Sequence, residues 1–411
     1  MVKLDLPERE YINYANGSNA DKEELLQLVD RIWEVDPKRK SLIDKIKMEF
    51  PIPNIIKISG AKEAIDTFKS IDIHKTDIDL ALKDITNIDF VKFADGSDEY
   101  KLYFSTLSPA GKIAMDGVTA IYNATSTFLD QYMSLSKAAK FALHNDEKVV
   151  LLKLIKEYQS NVDINKKINK LRFIDIGDAT YLRAVVSSNY KLYDNDIVLY
   201  MAMSVICDVA SKMNKKFELS HVKATESKFF ATFFEEDRIQ IRKNVYLQVG
   251  LRVQNSELGD GAAKFQTIYK IQNHNGKNSF TVIRNELSSI YHDYNPYKIA
   301  VKLQKLHDFD QEISDMKKAV SKISWDKQVT RESLNYVAHK ISSLRKGMSK
   351  ELKEEIINKI DAADITKKTF TIAKLFNQLD SFMLDKGMDA QVAFESNFAK
   401  WLREINRQIK N

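Results

Sequence analysis

Two segments concentrate the side chains able to do chemistry. In residues 181–196, YLRAVVSSNYKLYDND, a strand carries Arg183 and Ser187 on one alternating face and turns at Ser188-Asn189. It then reaches Asp194 or Asn195 as the cap of a following helix. Arg183 and Lys191 suit phosphates, and Tyr190 and Tyr193 suit base stacking. The same residues also read as a strand-to-helix corner whose tyrosines anchor the core with their hydroxyls outward. In residues 249–261, VGLRVQNSELGDG, Leu251 and Val253 alternate with Arg252 and Gln254, and a loop of Asn255, Ser256, Glu257, Gly259 and Asp260 opens. Its glycines permit left-handed backbone angles and close approach of a partner. Such a loop can receive a phosphate or a metal ion, or can be a bulged turn in which Asn255 and Asp260 satisfy their own backbone.

Most motif-borne chemistry is missing. Seven histidines stand singly at 74, 144, 221, 274, 292, 307 and 339, with no pair at the spacing of a helical zinc site. A single cysteine, Cys207, excludes a Cys-rich zinc site and an internal disulfide, and its apolar setting reads as a buried small hydrophobe. His292-Asp293 and His307-Asp308 would supply metal ligands only if the fold joined them. No nucleophile elbow, Walker loop or dinucleotide fingerprint is present. No catalytic residue, metal ligand or cofactor is assigned, although an enzyme built on carboxylates that converge in space stays open.

Charge adds a direction. The chain of 411 residues carries a net charge of +6. Segment 137–172 holds nine Lys/Arg against four Asp/Glu, and segment 298–350 twelve against six. Lys166, Lys167 and Lys170 form a basic run just before the first motif and join Arg183, Tyr190, Lys191, Tyr193 and Arg252 as candidate nucleic-acid contacts. No hydrophobic leader stands at Met1–Lys3, and no stretch approaches the roughly 20 apolar residues that cross a bilayer. The expectation is a cytoplasmic protein without a membrane partner.

These residues need elements to hold them. The pattern predicts an α+β fold in which a mixed or antiparallel sheet core with a packed helix lies between helical N- and C-terminal regions. The expected units are a helical region 1–95, an α+β core 96–295 and a helical region 296–411. Asp21 caps a first helix; a second spans roughly 38–50, and 60–85 reads as further short helices. KLYFSTL reads as a strand, 108–111 as a turn and 113–160 as helices. Period-2 segments at 181–187, 217–223, 228–234, 239–252, 264–272 and 279–284 surround an apolar helix at 196–212. Helices are expected at 298–323, 328–345, 349–360, 366–384 and 387–409, with Phe370, Leu375, Phe376, Leu379, Phe382 and Met383 at helical spacing.

At the two segments the sequence resembles the phage and plasmid proteins grouped as domain of unknown function 932. The resemblance rests on Arg183-Ala184-Val185, Ser187, Tyr190, Leu192, Asp194 and Asn195, then on Gly250-Leu251-Arg252-Val253, Asn255-Ser256-Glu257 and Gly259. It covers roughly 100–290 and departs at 271–276, where the family often carries a cysteine and this chain has none. It implies a bacteriophage origin and a bacterial host cell. With the basic flanks, the leading expectation is a single-stranded DNA-binding protein of recombination or annealing that works as a homo-oligomer. The alternative is a protein-interaction protein, a virion assembly component or an inhibitor of host defence, docking a phage or host protein through its C-terminal helices. A metal-dependent enzyme using Glu257 and Asp260 is the third.

Overall fold

The computed structural model describes residues 11–14, 20, 22–35, 39–54, 56, 58–71, 74–92, 99–107, 113–273, 279–304, 309–323, 325, 327–344, 348–362 and 371–410. The chain begins with β1 (Tyr11–Tyr14), α1 (Lys22–Val35), α2 (Lys40–Glu49), β2 (Ile58–Ser59) and α3 (Ala61–Ser70). Next come β3 (Lys75–Ala81), β4 (Ile85–Lys92), β5 (Tyr100–Leu107), β6 (Ile113–Ala120), α4 (Ala124–Met133), α5 (Ser136–His144) and α6 (Lys148–Ser160). The middle holds β7 (Ile168–Ile176), β8 (Ala179–Ser187), α7 (Asn195–Met213), β9 (Phe217–Ala224), β10 (Lys228–Glu235), β11 (Ile239–Arg242), β12 (Val245–Ser256), β13 (Ala263–Asn273) and β14 (Ser279–Ile290). The last part is helical: α8 (Pro296–Leu303), α9 (Phe309–Ser321), α10 (Arg331–Ser342), α11 (Lys350–Asp361), α12 (Ile372–Met383) and α13 (Met388–Lys410).

The strands form two sheets, so the α+β class holds. The smaller runs β3-β7-β8-β6-β5-β4, antiparallel except where β6 meets β8. Its apolar face carries Phe90, Phe104, Phe173 and Leu182 against Phe128, Leu129, Leu151 and Ile155 of α4 and α6. The larger runs β1-β9-β10-β12-β13-β14, with β11 added to β12 and β2 added in parallel to β9.

Strand alternation explains how the larger sheet is covered on both faces. Phe229 of β10 meets Phe68 of α3 edge-on, while its neighbour Phe230 lies under Arg252, whose guanidinium pairs with Glu395 of α13. Helices α1, α3 and α7 therefore take one face, and α13 takes the other. Apolar nearly all round, α7 packs against β10 and β12 on one side and α1 on the other. Gly250 in β12 is required, because a Cβ there would lie 2.1 Å from the Phe233 carbonyl oxygen.

Several expectations change. Of 60–85, α3 is the one α-helix and Leu82–Asp84 a single 3₁₀ turn; β3 and β4 are strands of the smaller sheet, and β6 replaces the start of the expected helices at 113–160. The boundary at 95 falls between β4 and β5, which pair directly, so the smaller sheet draws on both sides of it. The C-terminal helices are a layer of the core: Phe376 and Phe398 pack on Phe280 of β14, and Leu375, Leu379 and Met383 are buried. Phe382 alone of that set is half-buried. Asn16-Gly17, Asp21, the turn at 108–111, His274, His307-Asp308 and Phe370 lie outside the described residues. Among the described residues no helix is long and apolar enough to cross a membrane.

Candidate functional site

Where the two sheets meet, the two sequence segments converge on one buried ionic cluster. β3 supplies Lys75 and Asp77, β7 supplies Arg172, β8 supplies Arg183, and Arg39 stands just before α2. Asp194 is the N-cap residue of α7, and Glu257 follows the end of β12. Arg172 donates through Nε to Asp77 at 2.9 Å, through Nη2 to Asp194 at 2.5 Å and through Nη1 to the Glu257 carbonyl at 2.7 Å. Arg39 bridges Asp77 and Asp194. Arg183 donates through Nη1 to Glu257 at 2.5 Å, and Lys75 contacts both Glu257 carboxylate oxygens at 2.9 and 3.1 Å. The first backbone N–H of α7, on Asn195, also donates to Glu257 at 2.9 Å, so that carboxylate completes the helix terminus.

The electrostatics follow from burial and pairing. Burial pushes the Asp194 carboxyl up, but Arg39 and Arg172 beside it outweigh that and hold it well below the usual range. For Asp77, burial is likewise outweighed by Arg172 and Arg39. Burial and Asp194 both push the Glu257 carboxyl up, and Lys75, Arg183 and Arg172 bring it down overall. All three carboxylates are ionised in the folded protein at neutral pH. A cluster so neutralised costs desolvation and returns it through geometry, and it punishes the removal of any single member.

An aromatic layer closes one side. The Tyr190 ring stacks on His292 at 4.3 Å, and Arg172 lies 5.8 Å from the Tyr190 ring centroid. The Tyr193 hydroxyl donates to the Tyr294 carbonyl at 2.7 Å. Burial pushes the His292 imidazole down to about 4, against the raising effect of the Lys191 carbonyl at its Nδ1. A histidine whose folded value lies below its unfolded 6.5 binds fewer protons when folded, so its contribution is intact above about 6.5 and is lost as pH falls toward 4. Stability measured by urea unfolding from pH 7 to 4 should fall about 2–3 kcal/mol more for the wild type than for His292→Gln. Parallel curves for the two proteins would remove His292 from the acid response.

The structure relocates most candidate contacts. Arg183 and Arg252 are fully buried and ion-paired, so neither meets a phosphate on an outer surface. Tyr193 is buried, and Tyr190 has one face on His292, so neither offers an open ring for a base. Lys191 donates to the Asp293 carbonyl at 2.7 Å, and Lys170 pairs with Asp79. Lys166 and Lys167 are exposed. In the loop, Asn255 donates to the Tyr193 carbonyl and to the Asn195 side chain, the Ser256 hydroxyl accepts from the Leu258 N–H, and Glu257 is locked as above. Gly259 sits at φ 72 with Val186 only 2.5 Å from where a Cβ would be, so its left-handed turn and close approach both require glycine. Asp260 faces Lys228 at 3.7 Å in a cleft of about 900 Å³ that Tyr122, Glu226 and Asp389 also line. Among the described residues no group of three or more His, Cys, Asp or Glu is placed to hold a metal ion.

Sequence reasoning singled out Arg183, Asp194 and Glu257 but missed Arg39, Lys75, Asp77 and Arg172. A usable signal existed: an arginine following leucine inside an apolar strand, as in Leu171-Arg172-Phe173, Leu182-Arg183-Ala184 and Leu251-Arg252-Val253. Strands covered on both faces read as nearly continuous apolar runs, so a charge within one implies a buried partner. The chain matches no family model, no curated protein and no solved structure.

Proposed function

We propose that this is a protein-interaction protein whose docking surface is the outer face of α5 and α6. One observation carries the reading. Phe141 is 73% exposed, Val149 58% and Val150 59%, on two consecutive helices that pack together. Leu151 and Ile155 already give α6 its buried stripe, so the exposed Val150 and Leu154, four positions apart, make a second one, with Val149 one step round the helix. Single exposed hydrophobics are ordinary, but a group of them on one helical hairpin has a use when a partner covers it. Lys137, Lys140, Lys153 and Lys156 are exposed around them. The surface therefore suits an acidic partner segment with an apolar face, in the helix-on-groove manner. The phage resemblance of the two motifs makes a virion or host protein the natural class of partner.

The test compares wild type with Phe141→Asp and Val150→Asp, two exposed sites whose substitution leaves the core intact. A partner captured by the wild type and identified by mass spectrometry should be lost by both variants, with unchanged unfolding midpoints. Capture that survives both substitutions overturns the assignment of this face.

Single-strand binding is the second reading, supported by the same lysines continued by Lys166 and Lys167. Its phosphate contacts would need no buried residue, but Phe141 is the one ring among the large exposed hydrophobics of this face in the described residues. Fluorescence anisotropy with labelled single- and double-stranded oligonucleotides separates the readings: affinity for single strands that falls steeply with salt favours nucleic acid.

A further inference from the structure

The ionic cluster contains more donors than its own residues use. Arg183 is fully buried, yet only Nη1 has a partner; Nε and Nη2 have none. Those two N–H groups lie on one edge of the planar guanidinium and are the pair that grips a carboxylate or phosphate side-on. The Tyr190 hydroxyl, the His292 Nε2 and the Asn255 Oδ1 are also buried without partners. Tyr190 lies within the field of the Arg183 charge, and Asn255 is one hydrogen bond from Asn195, which itself contacts Glu257. Folded proteins leave very few such atoms unsatisfied, because each has given up its hydrogen bonds to water without replacement.

The shape of the free edge indicates what completes the set. Three buried cations (Arg39, Arg172 and Arg183) face three buried carboxylates (Asp77, Asp194 and Glu257), and Lys75 adds a fourth positive charge where the cluster nears the surface. Two parallel N–H groups match the two oxygens of one oxyanion, whereas a single water accepts from them less well. We propose that the free edge of Arg183 is a binding site for a small oxyanion, a carboxylate or phosphate group held bidentately by Nε and Nη2. The Tyr190 hydroxyl, buried and without a partner in the field of the same guanidinium, is the further donor available to it. The cluster approaches the surface at Lys75, whose side chain is 23% exposed. This site is independent of the α5–α6 docking face, and either can fail without the other.

The full-length protein, unfolded and refolded in chloride-only buffer, is dialysed against chloride, acetate or inorganic phosphate at one ionic strength. Acetate or phosphate should raise the thermal midpoint progressively with concentration, following the linkage between binding and stability. Native mass spectrometry should show one added anion. In Arg183→Lys, which keeps the charge opposite Glu257 but lacks the second edge, the rise should vanish. Tyr190→Phe, which removes only a hydroxyl, should weaken it and serves as the variant if the lysine protein does not fold. A wild-type midpoint identical in all three salts, with no added mass, overturns the proposal and assigns the edge to buried water. A rise of equal size in wild type and Arg183→Lys overturns it as well, placing the anion elsewhere.

Discussion

Glu257→Gln is expected to lower stability by about 3–5 kcal/mol, the range for breaking a buried ion pair from one side. The amide keeps the shape and can still accept from the Asn195 N–H. It cannot neutralise Arg183, which is fully buried, or answer Lys75 and the nearby Arg172. The loss also reaches across both sheets, since Glu257 is contacted from β3, β8 and α7. Urea unfolding followed by tryptophan fluorescence measures it. A midpoint within error of wild type would mean that Arg183 finds another counter-charge, and the cluster would then be far more tolerant than its geometry implies. A set of carboxylates serving only as exposed metal ligands would predict the opposite, near-neutral stability.

The second large effect concerns the C-terminal third. A chain ending at residue 295 should fail to form a soluble, cooperatively folded protein. Arg252 would lose Glu395 and stand unpaired in the sheet, at a cost of about 3–5 kcal/mol. Phe280 would lose Trp325, Phe376 and Phe398, and the patch of Phe234, Ile268 and Ile283 would lose Val392. Each uncovered large side chain costs about 1.5–3 kcal/mol. Together these are as large as the roughly 5–15 kcal/mol that holds a domain folded. Expression of residues 1–295 with near-ultraviolet circular dichroism decides it. A dispersed near-ultraviolet signal and a sharp unfolding transition would show the helices to be an appendage, which would restore them as a free docking surface.

How much was legible beforehand depended on the distance over which the physics acts. From β9 to β14 the strands alternate and were readable, except that the expected 239–252 is two strands, β11 and β12; α7 was readable too, its apolar run being too long for a strand. Helices of the last third were found to within a few residues, except that the first expected one is two, α8 and α9. β3 and β4 were not readable, because Lys75-Thr76-Asp77-Ile78-Asp79-Leu80 has few apolar residues and a helix tolerates the same spacing. The candidate site shows the same limit. A pairing of Arg183 with Glu257 was conceivable from the residues alone. Nothing local in sequence could say that Arg39, Asp77 and Arg172 join them, with separations of 22 to 155 residues between bonded partners. Misplacing Arg252 and the two tyrosines has one cause: alternation assigns a face to a residue but does not say whether a second layer covers it.

Those separations also set a clock for the chain as it is made. The strands of the smaller sheet are all synthesised by Ser187, but Arg183 and Lys75 find their carboxylate only when Glu257 leaves the ribosome, 70 residues later. At about 5–20 residues per second that is a wait of roughly 4–14 s with unpaired cations at the sheet's inner edge. During that interval the nascent smaller sheet can close and reopen but cannot lock. Arrival of the β12 segment therefore acts as a late checkpoint for the smaller sheet, which can lock only once the larger one has begun.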